Sequence, residues 1–136
     1  MTDITTAIFD LDGLLADTER WHRRAYQETL GEMGVSLREA DYDEHWIRAG
    51  KGINDFLIEK QLELSVDLIK EGKARRYAEL VAAHARPMPG AVELLDLLDG
   101  KLRLALATAS YRGAAEAALA AIGLTGRFET FASKEN

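Results

Sequence analysis

Apolar and polar positions follow two different rhythms along this chain. Residues 5 to 10 make a short apolar run without alternation, the pattern of a buried parallel strand. From Asp17 the spacing changes. Trp21, Ala25, Tyr26, Leu30 and Met33 recur at helical intervals and predict a helix over 18–33, with Gly34 as its stop. Residues 39–49, 53–63 and 66–84 also read as helices. The 53–63 helix is expected to open near Asn54 or Asp55 as cap, and the 66–84 helix to be capped by Ser65. No strand signal interrupts this stretch.

Arg86-Pro87-Met88-Pro89-Gly90 breaks the helical rhythm and holds both prolines of the chain. Beyond it, Ala91 to Leu98 reads as an apolar helix and Leu102 to Ala107 as a second buried strand, closed by Thr108-Ala109-Ser110. Gly113 to Ile122 is an alanine-rich helix stopped by Gly123, and Phe128 to Ala132 begins a third strand. The order strand, helical insertion, helix, strand, helix, strand predicts an α/β protein. Its core is a Rossmann-like parallel sheet of about three strands, with an all-α helical cap inserted after the first strand. The expected domains are 1–16 with 87–136 for the core, and 17–86 for the helical insertion.

Composition narrows the functional classes. The chain has 136 residues, 47% of them hydrophobic, enough for one ordinary domain with a core. A net charge of -6 argues against a nucleic-acid binder, which needs a basic face, but leaves room for a small anionic substrate. There is no cysteine, so disulfides and thiolate-zinc sites are excluded. His22, His45 and His84 show no paired metal-ligand spacing. No apolar run approaches the ~20 residues of a membrane span. Met-Thr-Asp at the start has no basic-then-apolar signal pattern, so the expectation is a soluble cytoplasmic protein without membrane or nucleic-acid partners.

The chemistry concentrates at the ends of the predicted strands. Asp10 and Asp12 stand one residue apart where the first strand stops, with Gly13 next. In an open parallel sheet, ligands bind at those carboxyl ends. Asp-Gly is also a common turn signal. An EF-hand reading fails, because Leu14 and Leu15 occupy its fifth and sixth loop positions. Two carboxylates so placed need a cation, a proton or a partner, and they suit a hard metal ion together with a nucleophile and a general acid. At the second strand, Thr108 and Ser110 read either as helix caps or as a phosphate contact, since a hydroxyl and backbone N–H groups at a helix start serve both purposes. Between two predicted helices, Arg48-Ala49-Gly50-Lys51-Gly52 offers two cations and two glycines. It is not a P-loop, because Gly52 stands where Ser or Thr should follow the lysine. The plain reading is a solvated turn; the functional one is a loop that reaches an anionic substrate.

Residues 7 to 18, Ala-Ile-Phe-Asp-Leu-Asp-Gly-Leu-Leu-Ala-Asp-Thr, closely resemble the first motif of the haloacid dehalogenase-like hydrolases, in which an apolar strand runs into Asp-x-Asp-Gly-x-x-x-Asp-Thr/Ser. Asp10, Asp12, Gly13, Asp17 and Thr18 all match. Thr108 matches the family's second motif. The run through Ser110 and the early cap helix with His22 resemble the beta-phosphoglucomutase and phosphoglycolate phosphatase branch. The resemblance implies a phosphatase acting on a small phosphate monoester, a sugar phosphate or a phosphoglycolate-like compound. Asp10 is then the nucleophile that forms an aspartyl-phosphate, and Asp12 the acid that protonates the leaving oxygen and later activates water. Mg2+ is the implied cofactor, held by Asp10 and the backbone carbonyl of Asp12. Thr108, the Ala109 backbone and Ser110 are the implied phosphate contacts. Lys51, Arg48 and Gly50 are the implied cap contacts to substrate, with His22 at the hinge. The cap is expected to close over the site and exclude water. A phosphosugar mutase of the same branch is the alternative.

Two further family motifs, a lysine and an acidic pair, are not matched. Lys134 lies two residues past the third strand and precedes Glu135 rather than proline. The expectation is a longer enzyme, completed by on the order of 60 residues, since a βαβ unit takes about 30. Without a neighbour on its far side, Ile4 to Asp10 is expected to be an apolar open edge that self-associates or is complemented by another chain. A non-catalytic chain that binds a partner through that edge is the reading from a different class.

Overall fold

Residues that cannot satisfy their backbone alone pair across a sheet here. In the computed structural model, which describes residues 3–135, β1 (Thr6–Phe9), β2 (Arg103–Ala107) and β3 (Thr130–Ala132) form one parallel sheet in the order β1-β2-β3. Ala7 lies opposite Leu104 and Phe9 opposite Leu106, while Leu106 lies opposite Phe131. Six α-helices are described: α1 (Glu19–Glu32), α2 (Glu39–Tyr42), α3 (Ile53–Glu59), α4 (Val66–His84), α5 (Ala91–Leu98) and α6 (Arg112–Ala121). Parallel strands cannot be joined by a tight hairpin. The chain therefore travels through α1 to α5 between β1 and β2, and through α6 between β2 and β3. This is the α/β, Rossmann-like architecture with an all-α insertion after the first strand. No helix among the described residues is long and apolar enough to cross a membrane.

The chain divides into two compact units, one holding the residues up to Glu19 and from Ala78 onward, the other Arg20–Tyr77. In the first unit, Leu104, Ala105 and Leu106 of β2 are buried, as are Leu95 of α5 and Ala115, Ala118 and Leu119 of α6. Burying a leucine fully contributes about 1.5–3 kcal/mol, so central β2 anchors this core. The apolar run alone reads β1 as buried, but β1 is the open apolar edge expected from the unmatched motifs. Only Phe9 of the strand is buried and Ile8 is 71% exposed, because β1 is the edge of the sheet and has one neighbour instead of two.

In the helical unit, Leu30, Leu37, Tyr42, Ile53, Phe56, Leu57 and Ile69 form the core, with Tyr26, Trp46 and Val66 packed on it. The expected 39–49 helix is split here. After α2 the chain widens into a π-helical segment, Asp43–Arg48, closed by the Ala49 N–H on the Glu44 carbonyl at 3.0 Å. The wider turn lets Tyr42 stack on Trp46, ring centroids 5.1 Å apart, while Trp46 also meets Phe56 at 5.2 Å. Ring pairs of this kind contribute about 0.5–1.5 kcal/mol each beyond the area they bury. α3 opens ahead of the expected caps: Gly52, two residues before Asn54, is its N-cap, and Asp55 instead accepts the Gly52 N–H at 3.3 Å. Ser65 does cap α4, its hydroxyl accepting the Leu68 N–H at 3.3 Å.

Candidate active site

The carboxyl end of β1 is built by one tight loop. The N–H groups of Leu14, Leu15 and Ala16 all donate to the Leu11 carbonyl, at 3.2, 3.0 and 3.1 Å, and Gly13 donates to the Ala16 carbonyl at 2.8 Å. Gly13 makes the turn with φ +75, a left-handed conformation that costs a glycine little. Leu11, Leu15 and Ala16 are buried and pin the loop from below. The returning chain clamps it: Met88 N–H donates to the Leu15 carbonyl at 2.8 Å, and Asp17 N–H to the Arg86 carbonyl at 3.0 Å. Between these anchors Asp10 is exposed and Asp12 half-buried.

The two aspartates have different surroundings. Leu11 N–H donates to Asp10 Oδ1 at 2.8 Å, and no hydrogen bond is made to Asp10 Oδ2 among the described residues. Asp12 is gripped on both oxygens. Thr18 Oγ1 donates to Oδ1 at 2.5 Å, and Ser110 Oγ donates to Oδ2 at 2.6 Å. Thr18 is fully buried, so the link to Asp12 is fixed by packing as well as by the bond. A hydroxyl can donate to a carboxylate or accept from a carboxylic acid. Thr18 and Ser110 can therefore hold Asp12 in both protonation states, which a group that alternates between acid and base requires.

At the end of β2, Thr108 N–H continues the ladder to the Ala132 carbonyl at 3.0 Å, and the side chain is buried. Its hydroxyl oxygen accepts the Ser110 N–H at 3.1 Å. The Ser110 carbonyl accepts the Lys134 N–H at 3.0 Å. Ala109 lies exposed between them. Asp10, Asp12, Thr108, Ala109 and Ser110 thus stand together at the carboxyl ends of adjacent parallel strands. The capping role also considered for Thr108 and Ser110 is corrected by the structure. α6 starts at Arg112 with Tyr111 as N-cap, because Glu135 supplies the anion: its carboxylate accepts the Arg112 N–H at 2.9 and 3.1 Å and the Ser133 hydroxyl at 2.9 Å. Desolvation raises the Glu135 pKa, but these donors outweigh it and hold the carboxyl below its usual range. Lys134 lies with Nζ 4.8 Å from the centre of the Tyr111 ring.

Among the described residues no cluster of three or more His, Cys, Asp or Glu side chains could hold a metal ion. A caged site is therefore not built from these side chains. Mg2+ commonly binds through one or two carboxylates, with water and substrate phosphate completing its shell. The exposed Asp10 carboxylate fits that mode; the Asp12 carboxylate, occupied by two hydroxyls, fits it only through its backbone.

The remaining candidates lie in the helical unit. His22 on α1 is buried, stacked on Tyr77 at 4.0 Å, with Nδ1 2.7 Å from Lys73 Nζ. Arg48 pairs with Glu44 at 3.1 Å, and Gly50 turns the loop with φ +64. Lys51 pairs with Glu59. Glu59 also faces His45 Nδ1 at 3.4 Å, and His45 Nε2 meets the Gly52 carbonyl at 2.9 Å. The two loop cations expected for an anionic ligand are therefore already tied to carboxylates within this unit. The parts that His45, Glu59 and Glu135 play escape a reading of the sequence, because their contacts to Gly52, Lys51 and Arg112 follow no short motif. The only local sign for Thr18 is its place at the end of the aspartate motif.

A parallel sheet with paired aspartates at the tip of its first strand, a Thr/Ser turn at the next tip and a helical insertion between them defines a haloacid dehalogenase-like hydrolase. The chain belongs to that family, whose model matches residues 4–136. Among individual proteins it is similar to Protein CbbY of Rhodobacter capsulatus, 32% identical over 88% of this chain and 56% of that protein. It is 30% identical to the fructose-1-phosphate phosphatase YqaB of Escherichia coli strain K12, over 95% of this chain and 69% of that protein. The crystal structure of CbbY from Rhodobacter sphaeroides in complex with phosphate superposes with a TM-score of 0.86 at 28% identity, covering 98% of this chain and 64% of that one. A mutant of the same CbbY, crystallised with xylulose-(1,5)bisphosphate, gives the same TM-score of 0.86 at 27% identity. The chain thus spans less than two thirds of either CbbY protein.

Proposed function

We propose that this chain carries the nucleophile, the acid/base and the phosphate contacts of a phosphatase for small phosphorylated ketoses. The observation that carries the reading is the unequal pair at the tip of β1: an exposed Asp10 beside an Asp12 held on both oxygens by hydroxyls. Similarity supports the substrate class. One relative is named for fructose 1-phosphate and another was crystallised with xylulose-(1,5)bisphosphate, both ketoses esterified at C1.

In this reading Asp10 Oδ2 attacks phosphorus and the bond to the sugar oxygen breaks, giving an aspartyl-phosphate. Asp12, protonated at this stage, gives its proton to the departing oxygen. A water then attacks the aspartyl-phosphate, losing a proton to Asp12 and releasing phosphate and the Asp10 carboxylate. In the same reading the Thr108 hydroxyl and the Ala109 backbone N–H donate to phosphoryl oxygens. When Mg2+ is bound, through the Asp10 carboxylate and the Asp12 backbone carbonyl, its charge offsets the repulsion between carboxylate and phosphate.

The test is release of inorganic phosphate from fructose 1-phosphate by the full-length protein, with Asp10→Asn alongside. The wild type is expected to turn over, and the variant to lose turnover and any acid-stable covalent phosphate. Turnover that survives in Asp10→Asn sinks the reading. Formation of an isomeric sugar phosphate without phosphate release would reassign the protein as a mutase.

A further inference from the structure

The turn Thr108-Ala109-Ser110 runs from the end of β2 towards the start of α6. Residues 108, 110 and 112 are each tied to the segment that leaves β3. Thr108 N–H donates to the Ala132 carbonyl at 3.0 Å, and the Ser110 carbonyl accepts the Lys134 N–H at 3.0 Å. Arg112 N–H donates to the Glu135 carboxylate, its two oxygens at 2.9 and 3.1 Å. The first two ties run from main chain to main chain and survive a change of side chain. The third belongs to the Glu135 side chain, which the Ser133 hydroxyl supports by donating to it at 2.9 Å. Two cations close the same junction: Lys134 Nζ lies 4.8 Å from the centre of the Tyr111 ring, and the Arg112 guanidinium 4.3 Å from that of Phe131.

We propose that Glu135 is a positioning residue for the phosphate turn, holding the start of α6 so that the Thr108 hydroxyl and the Ala109 N–H are set for a phosphoryl group before it arrives. The inference rests on the reading of those two groups as phosphate contacts. Ala109 is exposed in the middle of the tied span, and the peptide planes on either side decide where its N–H points. A donor already aimed at an anion spends no affinity on being ordered. Glu135 acts through the Arg112 N–H. Without that acceptor the end of α6 frays, and the turn populates arrangements in which the Ala109 N–H points elsewhere. The apparent affinity for phosphate then falls with the fraction of molecules still set for it. Loss of a helix cap lowers that fraction by at most about twofold to thirtyfold.

Glu135→Ala and Glu135→Gln in the full-length protein test this. Glu135 is exposed, so neither change empties the core. Glutamine keeps a carbonyl oxygen for the Arg112 N–H and gives up the charge. Inorganic phosphate, titrated by calorimetry with Mg2+ present, is expected to bind Glu135→Ala on the order of tenfold more weakly than the wild type. Glu135→Gln should bind it nearly as well as the wild type. KM for fructose 1-phosphate should rise in Glu135→Ala by a similar factor with kcat changed less, because the turn is ordered again once substrate is bound. In the phosphate-free protein, the amide NMR signals of Ala109 and Ser110 should be displaced or broadened in Glu135→Ala and return towards wild-type positions on saturation with phosphate. A Glu135→Ala protein that binds phosphate like the wild type, with those signals unmoved, has lost only a helix cap and overturns the inference. Phosphate binding as weak in Glu135→Gln as in Glu135→Ala also overturns it, since charge rather than the held turn would then set the affinity. So does a wild type that binds no inorganic phosphate. The titration and the amide signals need no turnover, so they decide this inference even where Asp10→Asn refutes the phosphatase reading.

Discussion

Thr18→Val removes a single proton donor from the centre of the site and leaves the shape of the side chain nearly intact. Thr18 is 0% exposed, and its hydroxyl lies 2.5 Å from Asp12 Oδ1. A hydrogen bond to a charged group contributes about 1.5–3 kcal/mol. The valine methyl leaves no orphaned hydroxyl, and the half-buried Asp12 can recover part of its loss from water, so the lower end applies, ~1.5 kcal/mol. Thr18→Ser is the counter-variant. It keeps the hydroxyl and gives up one buried methyl, about 0.8 kcal/mol. Urea unfolding should rank the proteins wild type, Thr18→Ser, Thr18→Val, with the urea dependence of stability unchanged. Phosphate release should fall by an order of magnitude or more in Thr18→Val, as expected for a slightly misplaced acid/base, and survive in Thr18→Ser. If Thr18→Val proves as stable as Thr18→Ser and equally active, the hydroxyl does not hold Asp12 and the reasoning fails.

Two other outcomes are expected. The Lys51 side chain, by hydrogen bond first and by charge second, holds the Glu59 carboxyl below its usual 4.5, partial burial working the other way. Because the folded value is depressed, the pair's contribution is complete above pH 4.5 and is lost as the pH falls through the lower folded value. Carbon resonances of the Lys51 side chain should shift in that acid range in the wild type and stay flat in Glu59→Gln; equal shifts in both would place the anchor elsewhere. Chelation with EDTA should abolish phosphate release while leaving the far-UV circular dichroism unchanged, and added Mg2+ should restore it, since the fold of these residues uses no metal cage. Turnover that persists in EDTA would rule out the Mg2+ assignment.

Periodicity and punctuation made much of this fold legible. The helical spacing from Trp21 to Met33 appears as α1, and the apolar run Leu104–Leu106 as the buried centre of β2. Both signals are local: side-chain spacing fixes which face can be buried. The aspartate motif was equally legible, because strand, carboxylates and glycine turn are contiguous. What differed depended on neighbours distant in sequence. The apolar run of β1 alone reads as buried; its exposure follows from its place at the open edge that the unmatched motifs lead one to expect. The 39–49 segment reads as one α-helix, yet Tyr26 and Phe56 draw Trp46 into a wider turn.

By itself, then, the sequence determined the elements, their order and the residue types available at the strand tips, because those follow from backbone sterics and apolar spacing. The tertiary structure decided which partner each polar group meets. Ser110 lies far from Asp12 along the chain, and only the pairing of β1 with β2 brings its hydroxyl 2.6 Å from that carboxylate. Glu59 claims Lys51, and Glu135 claims the start of α6, for the same reason. A hydrogen bond or ion pair is decided within a few tenths of an ångström, and no spacing in a linear chain carries that information.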